Sequence, residues 1–498
     1  MAGIGFELKK LFSKKGVFSL LRAYGYAGIV CTGPMILGML LLIGISFIAS
    51  FFGAASHDRE LLNSMITYTL LASMFVTNTF SMVLTRFVAD MLYEKKPGAV
   101  LPSFWGSTCM MLAAGELLYG IFLLCAGISW LYVGMCFLLF GELVVVWNEM
   151  NYLTAIKDYS GMIRIFATAL LIAWGLAFLL SASGTDTIPA LFLAVIVAYG
   201  VMAVLYYRLM VSYFPAGDRS SACFLPWLDH YPELILLGLF LSLGLFGHLV
   251  IMWSGNAGKQ IQGLFYGAPV YDIPAILAFL SILITTINFV TSVEVQFYPK
   301  YRAYFDALNH GGILKDIRQA GQEMKSVLGR ELAYTFMKQF FTTVIFIIIG
   351  TFVLPVLPLG INEDMLGIYR VLCIGYAFYA IGNCMLLISL YFSDNKGALA
   401  SAAVFMAVSC IATWMLKNRS AVGYGVGFWL GAAAFAITAA AVLWKYLNGL
   451  IYHVLCSQPV LAEVRQGIFT QLAVRAQQRY RKRWRIVPET EEEQEEHI

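Results

Sequence analysis

Residues 129–156 read SWLYVGMCFLLFGELVVVWNEMNYLTAI, and within them only Glu142 and Glu149 carry charge. An α-helix rises 1.5 Å per residue, so about 20 apolar residues cross the hydrocarbon core of a bilayer. This stretch is long enough to do so, and it is one of many. Comparable runs recur from Tyr24 to Cys456. A β-barrel would instead show short segments of alternating polarity. The pattern predicts an all-α polytopic membrane protein of twelve transmembrane helices. They fall near 24–52, 61–92, 101–126, 129–156, 161–183, 187–212, 230–253, 273–298, 331–357, 366–392, 397–417 and 424–452.

Composition agrees. The 498 residues are 60% hydrophobic and only 12% charged, and mean hydropathy is +0.76. Soluble domains carry about 25% charged residues, so a soluble enzyme, a disordered chain and a secreted scaffold are excluded. The nine cysteines are scattered, without a CxxC pair, and read as small buried hydrophobes with no disulfide framework. The first apolar run is too long for a signal-peptide core and reads as a membrane anchor.

Charge placement sets the orientation. With the N-terminus inside, cytoplasmic segments hold 26 of the 33 Lys and Arg residues. That asymmetry predicts that both termini are cytoplasmic, which agrees with an even number of spans. The segment 213–229, with Pro215, Gly217 and Pro226, divides the spans six and six. The expected organisation is an amphipathic N-terminal segment (1–23), a first bundle (24–212), a cytoplasmic linker (213–229), a second bundle (230–452) and a tail (453–498). The second bundle contains a polar cytoplasmic loop, 299–330, long enough for a helix with apolar residues at Ile313, Leu314, Ile317 and Met324. In the N-terminal segment Ile4, Leu8, Leu11 and Phe12 share a helical face, flanked by lysines. It suits a helix resting on anionic lipids. The tail runs basic over 475–485, which first suggests lipid headgroups, then acidic over 489–496, as a solvated end does.

No catalytic, metal, cofactor or nucleic-acid site is expected. Six His form no ligand spacing. Gly255-Asn256-Ala257-Gly258-Lys259 lacks the offset and the Ser/Thr of a phosphate loop. The informative residues are ionisable groups inside spans, each costing roughly 2.5–3.5 kcal/mol at mid-helix on insertion scales. Arg86 and Asp90, four apart, can pair on one face of span two. Glu116 lies mid-way along span three. In span four Glu142 and Glu149 are seven apart and share a face, flanked by Trp147 and Asn148. Glu294 and Arg370 lie in spans eight and ten. These nine residues are the candidate substrate path. A structural ion pair and an interhelical network of protonated Glu are the alternatives. Lys338, near a span end, is expected to snorkel.

Three stretches carry a family resemblance. The first is Met1-Ala2-Gly3-Ile4-Gly5-Phe6-Glu7-Leu8-Lys9-Lys10-Leu11, followed by Tyr24-Gly25-Tyr26-Ala27-Gly28 and Thr32-Gly33-Pro34. The second is Thr85-Arg86-Phe87-Val88-Ala89-Asp90-Met91-Leu92-Tyr93-Glu94-Lys95. The third runs from Tyr271-Asp272-Ile273-Pro274 to Glu294 and Phe297-Tyr298-Pro299-Lys300-Tyr301-Arg302. Together they resemble the PelG family, the membrane transporter of the Pel exopolysaccharide system. The resemblance covers the membrane region and fades from about 459. It implies a multidrug/oligosaccharidyl-lipid/polysaccharide exporter fold, with two six-helix bundles flanking a central cavity. It also implies export of a polymer rich in N-acetylgalactosamine across the bacterial inner membrane. The implied partners are a cytosolic glycosyltransferase and membrane proteins, one of which senses cyclic di-GMP. It transfers no binding residues.

An ion-coupled antiporter or lipid-linked oligosaccharide flippase of the same fold is the competing function; a membrane scaffold is a third. An antiporter needs a cation-binding carboxylate, which Glu116 or Glu142 could supply. A flippase for pyrophosphate-linked lipids wants several cavity Arg, and the spans clearly hold only Arg86 and Arg370. With no ATPase motif, the polymer must be handed over by a partner. The 299–330 segment mixes acids with bases, which fits a protein partner, with Lys315, Arg318 and Lys325 as docking residues. The tail is the second docking candidate.

Overall fold

The computed structural model describes residues 38, 40–156, 158–217, 219–309, 312–356, 360–455 and 467–484. The amphipathic segment 1–23 and the acidic end lie outside them. The described chain is nearly all helix. In order the helices are α1 (Leu40–Phe51), α2 (Ser56–Tyr93), α3 (Val100–Cys125), α4 (Trp130–Leu153), α5 (Tyr159–Ala182), α6 (Thr187–Tyr213), the short α7 (Leu225–His230) and α8 (Pro232–Trp253). A two-stranded hairpin follows, β1 (Lys259–Gln262) and β2 (Phe265–Gly267). Then come α9 (Pro269–Phe279), α10 (Leu283–Ser292), α11 (Tyr298–Asn309), α12 (Leu314–Val353), α13 (Glu363–Tyr391), α14 (Asn395–Leu416), α15 (Val426–Asn448), α16 (Leu450–Leu455) and α17 (Ile468–Trp484). Among the described residues eleven helical runs are long and apolar enough to cross a membrane, Pro269–Asn309 (α9 to α11) counting as one, and α1 is a shorter apolar helix where the first span is expected. The protein is therefore an all-α, multi-pass membrane protein.

Two compact units divide the chain. One holds 37–242, the hairpin tip 261–265 and the tail from 452; among described residues the other holds 243–260 and 266–451. In the first unit α2 carries a buried row at one-turn spacing, Met65, Thr69, Ser73 and Thr77. Each hydroxyl returns a hydrogen bond to its own helix, for example Thr69 Oγ1 to the Met65 carbonyl at 2.7 Å and Thr77 Oγ1 to that of Ser73 at 2.9 Å. Buried polar groups are thereby satisfied at no cost in packing.

In the second unit α13, α14 and α15 pack most closely. Gly427 and Gly431, one turn apart on α15, lie directly on Thr413 and Ser409 of α14. Gly375 and Gly382 of α13 receive the rings of Phe428 and Phe435. In lipid there is no hydrophobic drive between helices, so small residues that let backbones touch provide the dispersion contacts. Polar caps fix the helix starts. Asn362 accepts from Met365 N at 2.9 Å, and Asp394 from Gly397 N at 3.0 Å.

Two regions differ from the linear reading. Span eight is discontinuous: α9 contains Pro274, a 3-10 turn at Leu280–Ile282 separates it from α10, and a π turn at Val293–Phe297 leads into α11. Proline removes a backbone donor and crowds the preceding turn, and π turns accumulate at functional positions. The polar segment 299–330 is mostly helical, as its length allows. It holds α11 and the first turns of α12, with Lys300 Nζ to Glu323 Oε2 at 2.8 Å. Polarity ends the hydrophobic run without ending the helix, so hydropathy marked the boundary of the span and missed that of the element. Likewise 213–229 is not bare linker, because it leads into the packed helix α7.

Candidate functional site

The polar side chains of α4 point to different neighbours. Trp147 Nε1 donates to Ser73 Oγ of α2 at 3.1 Å. Asn148, fully buried, donates through Nδ2 to Ser107 Oγ at 3.0 Å and Thr108 Oγ1 at 2.8 Å, both on α3. Glu142 lies against α6, where its Oε1 is 3.0 Å from the position a Cβ would take on Gly200. Glu116 of α3 stands in the same relation to Gly141 of α4. A glycine on the facing helix makes room for each carboxyl. Glu149 is 1% exposed. One carboxyl oxygen of Glu142 and one of Glu149 have no hydrogen-bond partner among the described residues, and no Lys or Arg there pairs with either. A buried charge without a partner is costly, so such residues are rare in membrane helices unless transport uses them.

The structure thus gathers Glu116, Glu142, Trp147, Asn148 and Glu149 within one unit. Asp90 stands apart, near the other end of α2. Its Oδ1 meets Arg86 Nε at 3.1 Å, and its Oδ2 accepts from Trp227 Nε1 of α7 at 2.9 Å. The Arg86 guanidinium lies 5.5 Å from the Tyr231 ring centre. Both partners are partly exposed, so the ion pair alone is worth little. The indole bond makes Asp90 an anchor for the connection between α6 and α8.

In the other unit Arg370 Nε donates to Thr351 Oγ1 of α12 at 3.2 Å. Glu294 lies in the π turn; its side chain is outside the described ones. Lys338 does not snorkel freely. Its Nζ donates to Asn288 Oδ1 at 2.9 Å and lies over the Tyr334 ring. That bond belongs to a polar ladder between α10 and α12. Thr285 bonds Gln339, which donates onward to Thr343 at 2.9 Å, and Ser292 Oγ donates to Glu331 Oε2 at 2.7 Å. Thr285, Asn288 and Ser292 recur at helical spacing, a signal visible in the sequence once uncharged polar residues are counted.

A second missed cluster surrounds His248 of α8. Its Nδ1 shares a hydrogen bond with the Tyr271 hydroxyl at 2.8 Å, and Phe428 lies against the ring, centroids 4.3 Å apart. Beside it Asp272 accepts from Trp253 Nε1 at 3.0 Å and from Ala268 N at 2.9 Å. The Tyr271-Asp272 pair therefore fastens the start of the discontinuous span to α8. Of the docking residues, Lys315 and Arg318 are exposed and Lys325 is partly covered. The described residues contain no group of three or more potential metal ligands.

Comparison with known proteins gives a family and a fold. The PelG family, described as "Putative exopolysaccharide Exporter (EPS-E)", matches over residues 1–455. No curated protein matches the sequence. Among solved structures, an inward-facing multidrug-resistance MATE transporter of the MOP superfamily is 12% identical with a TM-score of 0.54, covering 85% of this chain and 98% of its own. An outward-facing structure of the same description is 15% identical with a TM-score of 0.51, covering 87% and 97%. A MOP transporter from Pyrococcus furiosus, whose binding pocket is described as reversed in polarity, is 14% identical with a TM-score of 0.53, covering 85% and 96%. At such identity the likeness establishes the fold alone. It is that of the MATE and MOP transporters.

Proposed function

Because the chain belongs to the PelG family of exopolysaccharide exporters and is a transporter rather than an enzyme, we propose that it exports a growing, N-acetylgalactosamine-rich exopolysaccharide across the bacterial inner membrane. The carrying observation is the family match along the whole membrane region. A cytosolic glycosyltransferase supplies the chain, and membrane partners, one sensing cyclic di-GMP, complete the assembly. Both termini face the cytoplasm. The discontinuous span eight and the polar ladder supply hydroxyls and amides of the kind that recognise a hydroxyl-rich, acetamido-bearing polymer. Removing the protein is expected to abolish secreted polymer while transferase activity in membranes persists. Lectin blotting of secreted and cell-associated fractions reads this, and undiminished secretion would overturn the reading.

The 299–330 region docks the transferase. Lys315, Arg318 and Lys325 stand on the first turns of α12, where the charges project beyond the apolar part of the helix. Reversing all three to Glu is expected to remove most co-purified transferase at moderate salt, and deleting 465–498 to remove less. Full retention by the charge-reversed protein would sink the docking proposal. One observation favours an ion-coupled second reading: the unpartnered carboxyl oxygens of Glu142 and Glu149. Export that persists when the proton and sodium gradients are collapsed would count against it.

A further inference from the structure

The helix α17 lies beyond the region the family shares, which ends at 455. It is nonetheless docked. Asp229, in α7, accepts with Oδ2 from Thr470 N at 2.7 Å and Thr470 Oγ1 at 2.8 Å. It thereby caps the start of α17 from another element, satisfying donors a helix N-terminus leaves open. A Cβ on Gly467 would collide with the Asp229 carboxyl, so the close approach requires glycine there. Further along, Gln477 Oε1 accepts from Ser220 N at 2.7 Å. The docked side is Thr470, Ala473 and Gln477, with Thr470 and Ala473 buried.

The helical repeat puts Ile468, Leu472, Arg475, Arg479 and Lys482 together on the opposite side. Ile468 is 76% exposed and Leu472 46%. The stripe is apolar in its first turns and basic in its last. The helix contains five basic residues and no acidic one, and none of the five has an ion-pair partner among the described residues. A merely solvated face would not expose isoleucine and leucine beside unpaired arginines. The site of attachment supplies the other half of the argument. Residues 220–229 join the end of α6 at Tyr213 to the start of α8 at Pro232, two membrane helices that terminate at the same face. The helix is thus held at a membrane boundary.

We propose that the outward stripe of α17 binds anionic lipid headgroups, with Ile468 and Leu472 entering the headgroup–acyl boundary and Arg475, Arg479 and Lys482 meeting the phosphates. Apolar residues beside Lys and Arg on a helix lying in the interface are what such a surface recognises. Docking by Asp229 removes the cost of ordering the helix at each encounter.

The full chain in nanodiscs of phosphatidylcholine, doped with a photoactivatable phosphatidylglycerol or a photoactivatable phosphatidylcholine, tests this. Mass spectrometry maps the cross-links. Peptides from 468–484 are expected to capture the anionic probe at least about fivefold more than the zwitterionic one, the preference that one basic residue near an anionic surface supplies. R475E/R479E/K482E should erase that preference with an unchanged melting temperature. Equal capture of the two probes by the parent protein, or capture confined to other peptides, would overturn the proposal. So would a triple variant that retains the preference. The comparison of probes on the unaltered protein needs no variant to fold.

Discussion

Glutamine at both Glu142 and Glu149 is expected to cut polymer export at least tenfold while the protein still inserts and purifies in normal amount. The two side chains lie two turns apart on α4, inside their unit, each with a carboxyl oxygen that no described residue bonds. Glutamine keeps the size and one acceptor and removes the ability to ionise. If the carboxyls only filled space, the change would be nearly silent or stabilising, since a neutral amide costs less to bury. If transport uses their charge or their proton, the loss falls on the transport cycle. A contribution of about 1.4 kcal/mol to its limiting barrier already corresponds to a factor of ten. Secreted polymer per unit of membrane protein is the measurement. The single variants apportion the effect, and Glu116→Gln shows whether α3 takes part. Wild-type export by the double variant would reduce all three acids to packing.

Alanine at Gly431 is expected to destabilise the protein nearly as much as leucine there. A Cβ at this position would lie 2.5 Å from Ser409 Cβ and 2.6 Å from its Cα. The obstacle is the α14 backbone, which cannot rotate aside. Overpacking typically costs about 1–3 kcal/mol, and here α14 and α15 must separate to admit even a methyl group, so loss of the neighbouring Gly427 contact follows. Against a total stability of about 5–15 kcal/mol for an ordinary protein, that means a lower melting temperature and reduced yield in detergent. Gly175→Ala on α5 is the control, because nothing lies within 4 Å of its added Cβ. A Gly431→Ala protein that melts with the parent while Gly175→Ala also does would refute the close-contact account of this helix pair.

The membrane character and the multi-pass, all-helical build could be read from residues 24–452 alone; the structure describes eleven spans and the shorter α1 where twelve spans are expected. Lipid imposes a rule that composition obeys directly: a helix of about 20 apolar residues satisfies every backbone group internally. The family likeness was equally legible, in Thr85–Lys95 and in Tyr271–Arg302. The spacing of Glu142 and Glu149 puts them on one helical face, and both fall within the single helix α4. Which helix each meets was beyond reach. For Glu142 that depends on Gly200 arriving opposite it, as Gly141 does for Glu116, and sequence distance carries no information about such meetings. For the same reason His248 with Tyr271, the ladder between α10 and α12, and the capture of α17 by Asp229 became visible only in three dimensions. Their residues are small, uncharged or far apart in the chain, up to 257 positions for Gln477 and Ser220. Hydropathy marked 299–330 only as a polar break between spans, because it senses the environment a helix enters and the backbone bonds of a helix continue regardless. The sequence by itself determined that this protein lives in a bilayer and crosses it many times as helices, since one-dimensional polarity governs insertion. Tertiary structure decided which polar groups meet, since that depends on where glycine, proline and close helix contacts place the backbones.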